Sequence, residues 1–220
     1  MSTLKSFTAS KARPLPVLIL ADTSGSMSAN GKIEALNTAL QDMIKAFGEE
    51  DDGRAEIQVG IITFGATAEV HQKLTKASSL ELARLQAAGM TPMGGAFELV
   101  REIVEDREKI SSRAYTPAIV LVSDGHPNDD WEPALMQLFE SARAGKAQRF
   151  ALGIGEDADG SVLRRFLNNE EGRVFSASDA RQIRSFFEWV TMSVTSRSRS
   201  ANPNESVAGD LPPSDLDELI

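Results

Sequence analysis

The chain has 220 residues, a length that fits one ordinary α/β domain with some residues left over. Hydrophobic residues make up 41% of it and charged residues 25%, as is normal for a soluble globular protein. The formal net charge of −9 argues against nucleic acid or an anionic membrane as the main partner, because both bind clusters of Lys and Arg. The absence of cysteine excludes disulfides, thiolate metal sites and thiol catalysis.

The N-terminal residues 1–13 are polar and contain no apolar segment of the kind found in signal peptides. The longest apolar stretch, at residues 14–21, is much shorter than the roughly 20 residues that a membrane-spanning helix needs. Since the chain also lacks cysteine, we expect a cytoplasmic protein.

Six segments have the character of β-strands. Four are apolar runs with little alternation, which predicts strands covered on both faces, as in a parallel sheet: residues 17–21, 57–64, 118–122 and 150–154. Residues 66–74 follow the second run after only Gly65, which is too short a connection for a crossover, so they are predicted to form an antiparallel edge strand. A short sixth strand is predicted around residues 173–176.

Helical segments alternate with these strands. Apolar residues recur at helical spacing in four of them: residues 33–47, 97–110, 131–139 and 183–194. This alternation implies right-handed βαβ crossovers. We therefore predict an α/β fold: a three-layer α/β/α, doubly wound domain whose six-stranded sheet is mostly parallel with one antiparallel edge strand.

Three parts of the chain are expected: an N-terminal extension (1–13), the α/β domain (14–196) and a disordered acidic tail (197–220). In the tail Ser, Asn, Pro and Gly dominate, and every charge after Arg199 is acidic. Two interpretations of the tail stay open. It is either a solvated segment or a short docking peptide for a partner or for a second copy of the domain.

The first predicted strand ends in the sequence Asp22-Thr23-Ser24-Gly25-Ser26. In an open parallel sheet, ligands bind outside the carboxyl ends of the strands. The alternating spacing of Asp22, Ser24 and Ser26 lets a compact loop turn all three side chains toward one point. Such hard oxygen donors suit Mg²⁺, or else Mn²⁺ or Ca²⁺, and do not suit Zn²⁺.

Two later loops offer further oxygen ligands. Asp124 follows a predicted strand that neighbours the first one, so Asp22 and Asp124 should converge, and a divalent cation between them would remove their repulsion. Thr91 adds a third hydroxyl from a loop that opens a helix, where Gly94 and Gly95 allow close backbone approach.

These motifs, Asp-x-Ser-x-Ser, a Thr-Pro loop and Ser-Asp-Gly, resemble the metal-ion-dependent adhesion site of von Willebrand factor A (vWA) domains over roughly residues 14–196. By this resemblance, Ser24, Ser26 and Thr91 are hydroxyl ligands of one divalent cation. Asp22 and Asp124 correspond to carboxylates that often act through water. The sequences around the motifs look like the bacterial tellurium-resistance TerY-like branch of the family.

The resemblance implies a protein-interaction module and not an enzyme. In such domains the metal keeps one coordination position for an acidic side chain of a protein partner. The TerY-like branch further implies a role in bacterial stress response or tellurite resistance, with partners that can include a kinase and a phosphatase.

Two other functions stay open at this point. One is a Mg²⁺-dependent phosphohydrolase with Asp22 as nucleophile, although such enzymes usually carry a second Asp where this chain has Ser24. The other is a scaffold whose metal is purely structural.

Three residues near the predicted site have less specific interpretations. His126 is expected on the rim of the site or as an ordinary loop residue. Asp129 and Asp130 are expected to cap the helix that opens at Trp131, or to provide charges in its first turn.

Overall fold

The computed structural model describes residues 12–50, 55–169 and 172–204 and the backbone of residues 217–218. The strands in these residues are β1 (Arg13–Asp22), β2 (Ala55–Phe64), β3 (Ala68–Lys76), β4 (Ala118–Ser123), β5 (Gln148–Ile154), β6 (Val174–Ala177) and β7 (Asp217–Glu218). The α-helices are α1 (Lys32–Glu49), α2 (Met93–Glu105), α3 (Trp131–Glu140), α4 (Gly160–Leu167) and α5 (Ala180–Arg199).

The strands form one sheet in the order β3-β2-β1-β4-β5-β6-β7. The pairs β1–β2, β1–β4, β4–β5 and β5–β6 are parallel, whereas β3 pairs antiparallel with β2. The predicted doubly wound, mostly parallel six-stranded sheet with one antiparallel edge strand is therefore confirmed. The two-residue β7, which pairs antiparallel with β6, is an addition that the sequence did not indicate.

Helices cover both faces of the sheet, and an apolar layer lies between each face and its helices. Alternate residues of β1 point to opposite layers, because side chains in a strand alternate between faces: Val17 and Ile19 pack with α1 and α5, and Leu18 and Leu20 pack with α2, α3 and α4. This double coverage explains why the central strands are apolar without alternation.

One helix, α4, was not predicted. Its N-cap is Asp159, whose side chain accepts hydrogen bonds from the backbone N–H groups of Ser161 and Val162. Val162 and Phe166 lie on its buried face. Both the cap and this spacing are present in the sequence, so the helix could have been found there.

The last helix runs past the expected domain boundary. Helix α5 ends at Arg199, so a boundary between residues 196 and 197 falls inside it. Of the expected tail, residues 205–216 and 219–220 lie outside the described residues, as do residues 1–11 of the expected N-terminal extension. The disorder of the tail stays a prediction.

A buried arginine joins the end of α5 to the sheet. Arg197 is 2% exposed and donates hydrogen bonds to the carbonyls of Thr116 (2.7 Å) and Pro203 (3.0 Å) and to Oε1 of Gln148 (2.8 Å). Burial lowers the pKa of Arg197 to about 10, so the guanidinium stays charged at neutral pH. These bonds hold the segment after α5 at the amino ends of β4 and β5.

Across the ranges that the structure describes, no helix combines the length and the apolar character that crossing a bilayer requires.

Candidate metal site

Asp22 lies at the carboxyl end of β1 and is fully buried. Its Oδ2 accepts a hydrogen bond from the hydroxyl of Ser123 at the end of β4 (2.6 Å), and its Oδ1 accepts one from the backbone N–H of Ser24 (2.8 Å). Both carboxylate oxygens therefore already have donors from the chain. Asp22 fixes the loop after β1 against the neighbouring strand.

Asp124 lies one residue beyond β4, and its side chain is also fully buried. Its Oδ1 accepts hydrogen bonds from the hydroxyls of Ser26 (2.7 Å) and Ser24 (3.4 Å), and these two hydroxyl oxygens are 2.9 Å apart. Neighbouring ligands in an octahedral Mg²⁺ site with metal–oxygen distances of 2.0–2.1 Å are separated by about 3 Å. The three side chains thus already have the mutual spacing of ligands around one small cation.

Thr91 belongs to the loop before α2 and lies across from the end of β4. A Cβ atom built on Gly125 would be 4.0 Å from the Thr91 hydroxyl oxygen. The loop is tied to the turn after β1 by a hydrogen bond from Gly25 N–H to the Gly89 carbonyl (3.0 Å). Among the described residues no hydrogen bond engages the Thr91 hydroxyl, so its lone pairs are available to another partner. The five predicted residues therefore lie at one edge of the sheet.

The loop after β4 holds the Thr91 loop in place. Asn128 exchanges two hydrogen bonds with Thr91: its Oδ1 accepts from Thr91 N–H (2.9 Å), and its N–H donates to the Thr91 carbonyl (3.1 Å). The carboxylate of Asp129 accepts from the N–H groups of Gly94 and Gly95 (3.0 Å each). Thr91 is thereby positioned by residues that sequence reasoning did not assign to the site.

The expectation for Asp129 was wrong. It caps the N-terminus of α2 from a distant loop and does not cap α3, the helix that it precedes in sequence. Asp130 occupies the N-cap position of α3, but its side chain makes no capping hydrogen bond. The close approach that this arrangement needs depends on Gly94, since a Cβ atom there would lie 2.9 Å from the Trp131 Cα.

The positively charged side chain of Lys32 contacts the site. The Lys32 Nζ lies 2.7 Å from Oδ2 of Asp124, and only 16% of the Lys32 side chain is exposed. Sequence reasoning missed this residue, because a lysine in the first turn of an amphipathic helix looks like an ordinary surface residue.

His126 lies in the loop after β4, two residues beyond Asp124, with 73% of its side chain exposed. Its Nδ1 is 2.8 Å from Oδ2 of Asp159. Desolvation raises the pKa of Asp159, but hydrogen bonds from Ser161 and His126 outweigh it and hold the pKa below its ordinary value.

Burial raises the pKa of Asp22 above its ordinary value. Hydrogen bonds from Ser123 and Ser24 oppose this effect, and the negative charge of Asp124 adds to it. The ammonium of Lys32 offsets part of the cost of holding two negative charges together in a buried place, and a divalent cation beside the two carboxylates would offset it further. The electrostatics of the site therefore fit a bound metal ion.

The donor set also indicates which metals fit. Over the described part of the chain, no three His, Cys, Asp or Glu side chains are grouped so as to hold a metal ion. The oxygen cluster instead combines the carboxylate of Asp124 with the hydroxyls of Ser24 and Ser26. Such a set matches Mg²⁺ or Mn²⁺ better than Zn²⁺.

The family model of the von Willebrand factor type A domain matches residues 17–189 of this chain. The match includes most of β1, all of β2 to β6 and the loops that carry the oxygen cluster, so the chain belongs to the von Willebrand factor type A family. Domains of this family often carry a metal-ion-dependent adhesion site that mediates protein interactions.

Curated relatives match most of this chain but are much longer. An uncharacterized protein of Mycobacterium tuberculosis is 27% identical over 166 residues, which cover 73% of this chain and 25% of the relative. The inter-alpha-trypsin inhibitor heavy chain H2 of Sus scrofa is 28% identical over 218 residues, with 88% of this chain and 22% of the relative covered. The chain thus spans about a quarter of the length of these relatives.

Solved structures share the fold. A von Willebrand factor type A protein from Catenulispora acidiphila superimposes with a TM-score of 0.66 at 21% identity, covering 83% of this chain and 42% of that one. Proximal thread matrix protein 1 from the mussel byssus, in a structure with a zinc-occupied adhesion motif, gives 0.64 at 13% identity and covers 82% and 48%. At these identities the likeness concerns the fold alone.

Proposed function

We propose that this domain is a metal-ion-dependent protein-interaction module and not an enzyme. One divalent cation, Mg²⁺ or else Mn²⁺ or Ca²⁺, is held by five residues: Asp22, Ser24, Ser26, Thr91 and Asp124. The observation that carries the proposal is the oxygen cluster of Ser24, Ser26 and Asp124, whose members lie 2.7–3.4 Å apart at the carboxyl edge of the sheet.

The chemistry of such a site favours an acidic ligand. Hydroxyl ligands are neutral, so the ion keeps much of its positive charge and attracts an incoming carboxylate. Ser26 and Gly25 are exposed, which leaves the cluster open to solvent on the side of the turn after β1. An Asp or Glu side chain of a protein partner can approach the ion there.

Two observations favour this function over the alternatives. Both carboxylate oxygens of Asp22 accept hydrogen bonds and the residue is fully buried, which argues against Asp22 as the nucleophile of a phosphohydrolase. The exposure of Ser26 argues against a closed, purely structural metal site.

The cellular role that we propose rests on the resemblance of the motifs to the TerY-like branch. It is a cytoplasmic role in bacterial stress response or tellurite resistance, in which the partner belongs to a phospho-signalling system with a kinase and a phosphatase. The acidic composition of the chain, with its net charge of −9, supports a partner that is bound through the metal and not through clustered basic residues.

Titration calorimetry with MgCl₂ and MnCl₂ tests the site. We expect one ion bound per chain, and a loss of at least about tenfold in affinity for Ser24→Ala and for Asp124→Ala, since each removes an oxygen from the cluster. Ser28→Ala is the matched control, because the Ser28 hydroxyl donates to the Gly25 carbonyl and not to the cluster. Equal metal uptake by all four proteins would disprove the assignment.

Partner capture in Mg²⁺ and in EDTA tests the function. A partner that is retained in Mg²⁺, released by EDTA and not captured by the Asp124→Ala variant supports metal-bridged binding. Phosphatase turnover with Mg²⁺ that is abolished in Asp22→Asn would instead establish the enzyme.

A further inference from the structure

The structure points to Lys32 as an internal counter-ion of Asp124, one that lowers the affinity of the site for its metal ion. This inference rests on the proposed function for the identity of the ion. The Lys32 ammonium lies 2.7 Å from Oδ2 of Asp124, whose side chain is fully buried.

The two oxygens of Asp124 have different partners. Oδ1 faces the hydroxyls of Ser24 and Ser26, whereas Oδ2 binds the ammonium of Lys32. Lys32 therefore does not replace the serine hydroxyls at Asp124. It neutralises the same carboxylate from its other oxygen.

The local backbone directs Lys32 to this place. Asn30 and Gly31 both have left-handed conformations, with φ of 54° and 70°, and α1 begins immediately after them. The ammonium also lies close to the end of β5, since a Cβ atom built on Gly155 would be 3.2 Å from the Lys32 Nζ. A larger residue at position 155, where φ is +83°, would crowd the lysine.

The position of Lys32 is unfavourable unless Asp124 compensates for it. The N-terminus of a helix carries partial positive charge and disfavours a cation, and burial of the side chain adds a desolvation cost. The ion pair with Asp124 offsets both. Conversely, Asp124 without Lys32 would be a buried carboxylate next to Asp22 with only hydroxyl donors.

Lys32 consequently stabilises the metal-free state of the domain and destabilises the metal-bound state. Without an ion, the ammonium compensates one of the two buried carboxylates and stabilises the fold. With an ion, the ammonium repels it across the Asp124 carboxylate. The same positive charge leaves the occupied site more attractive to a carboxylate of the partner.

The first test compares Lys32→Met with Lys45→Met by titration calorimetry with MnCl₂ and MgCl₂ at constant ionic strength. Lys45 is an exposed lysine of the same helix, about 20 Å farther along it at 1.5 Å per residue, so both variants lose one positive charge. We expect Lys32→Met to bind the ion at least about tenfold more tightly, because a unit charge within several ångströms acts strongly on a divalent ion, and Lys45→Met to stay within about twofold of the wild type. An unchanged or weaker affinity of Lys32→Met would overturn the inference while leaving the proposed function intact.

The second test uses thermal unfolding in EDTA and does not depend on metal binding. Lys32→Met should lower the Tm by about 5 °C or more, and Lys45→Met should change it by less than about 2 °C. Adding Asp124→Asn to Lys32→Met should restore most of the loss, which also covers the case in which the single variant folds poorly. A double-mutant cycle without coupling between Lys32 and Asp124 would overturn the inference.

The two failures are distinguishable. If the wild type takes up neither Mg²⁺ nor Mn²⁺, the proposed function fails, and the cycle in EDTA alone decides whether Lys32 is the counter-ion of Asp124.

Discussion

Asp129 acts on the site although it does not belong to the oxygen cluster. Its carboxylate accepts hydrogen bonds from the N–H groups of Gly94 and Gly95 in the first turn of α2. These two bonds fix the helix against the loop after β4. Thr91 precedes α2 by two residues, so its hydroxyl is positioned by the same contact. The geometry of the site thus depends on residues that never touch the ion.

Asp129→Ala should lower the free energy of unfolding by about 1–2 kcal/mol, because two helix N-terminal N–H groups lose a charged acceptor. It should also weaken Mn²⁺ binding severalfold through Thr91. Asp130→Ala is the matched control, since the Asp130 side chain makes no capping hydrogen bond. Urea unfolding and calorimetry measure the two effects, and equal results for both variants would contradict the role of Asp129.

At the scale of elements, most of the fold could be predicted, because buried parallel strands leave continuous apolar runs and amphipathic helices leave apolar residues at helical spacing. Four of the strands and four of the five α-helices in the described residues follow from such patterns, whereas the predictions of β3 and β6 rest on the short connection after β2 and on the turn residues that flank β6. The C-terminal end of α2 could not be predicted from its apolar pattern, because the helix ends at Glu105 and the buried Ile110 belongs to the following loop. The attachment of the end of α5 to the sheet could not be predicted either, because it depends on tertiary hydrogen bonds of Arg197.

Arg197→Met should lower the free energy of unfolding by about 3 kcal/mol, since it leaves three acceptors at the amino end of the sheet without their charged donor. Arg199→Met serves as the control on the same helix. Its side chain is 61% exposed and forms a salt bridge with Glu50, so the expected loss is below about 1 kcal/mol. A loss for Arg197→Met as small as the control would show that the buried guanidinium contributes little.

At the scale of the whole molecule, the position of the candidate site could be predicted from topology. The rule that parallel strands present their carboxyl ends at one edge is enough to bring Asp22 and Asp124 together. The neighbours of the cluster could not be predicted. The pairing of Lys32 with Asp124 joins residues 92 positions apart, and such a contact depends on how a helix is oriented over the sheet and not on any local pattern.

Saturation with the metal should stabilise the entire domain, because only the folded chain assembles the oxygen cluster. At about 100 times the Kd, the linkage relation gives about 2.7 kcal/mol, which for a domain of this size corresponds to an increase in Tm of about 5–10 °C. Differential scanning calorimetry in MgCl₂ and in EDTA measures this increase. Asp124→Ala should show none, and a comparable increase in that variant would place the ion elsewhere.

The hydrogen bond between Ser26 and Asp124 joins residues 98 positions apart in the chain. Such a pair can form only after β1 and β4 have paired in the sheet, and this pairing requires the closure of a long loop of intervening chain. The binding site for the ion therefore does not exist in the early stages of folding. It cannot guide the chain to its topology and acts afterwards, by slowing the return to the unfolded state.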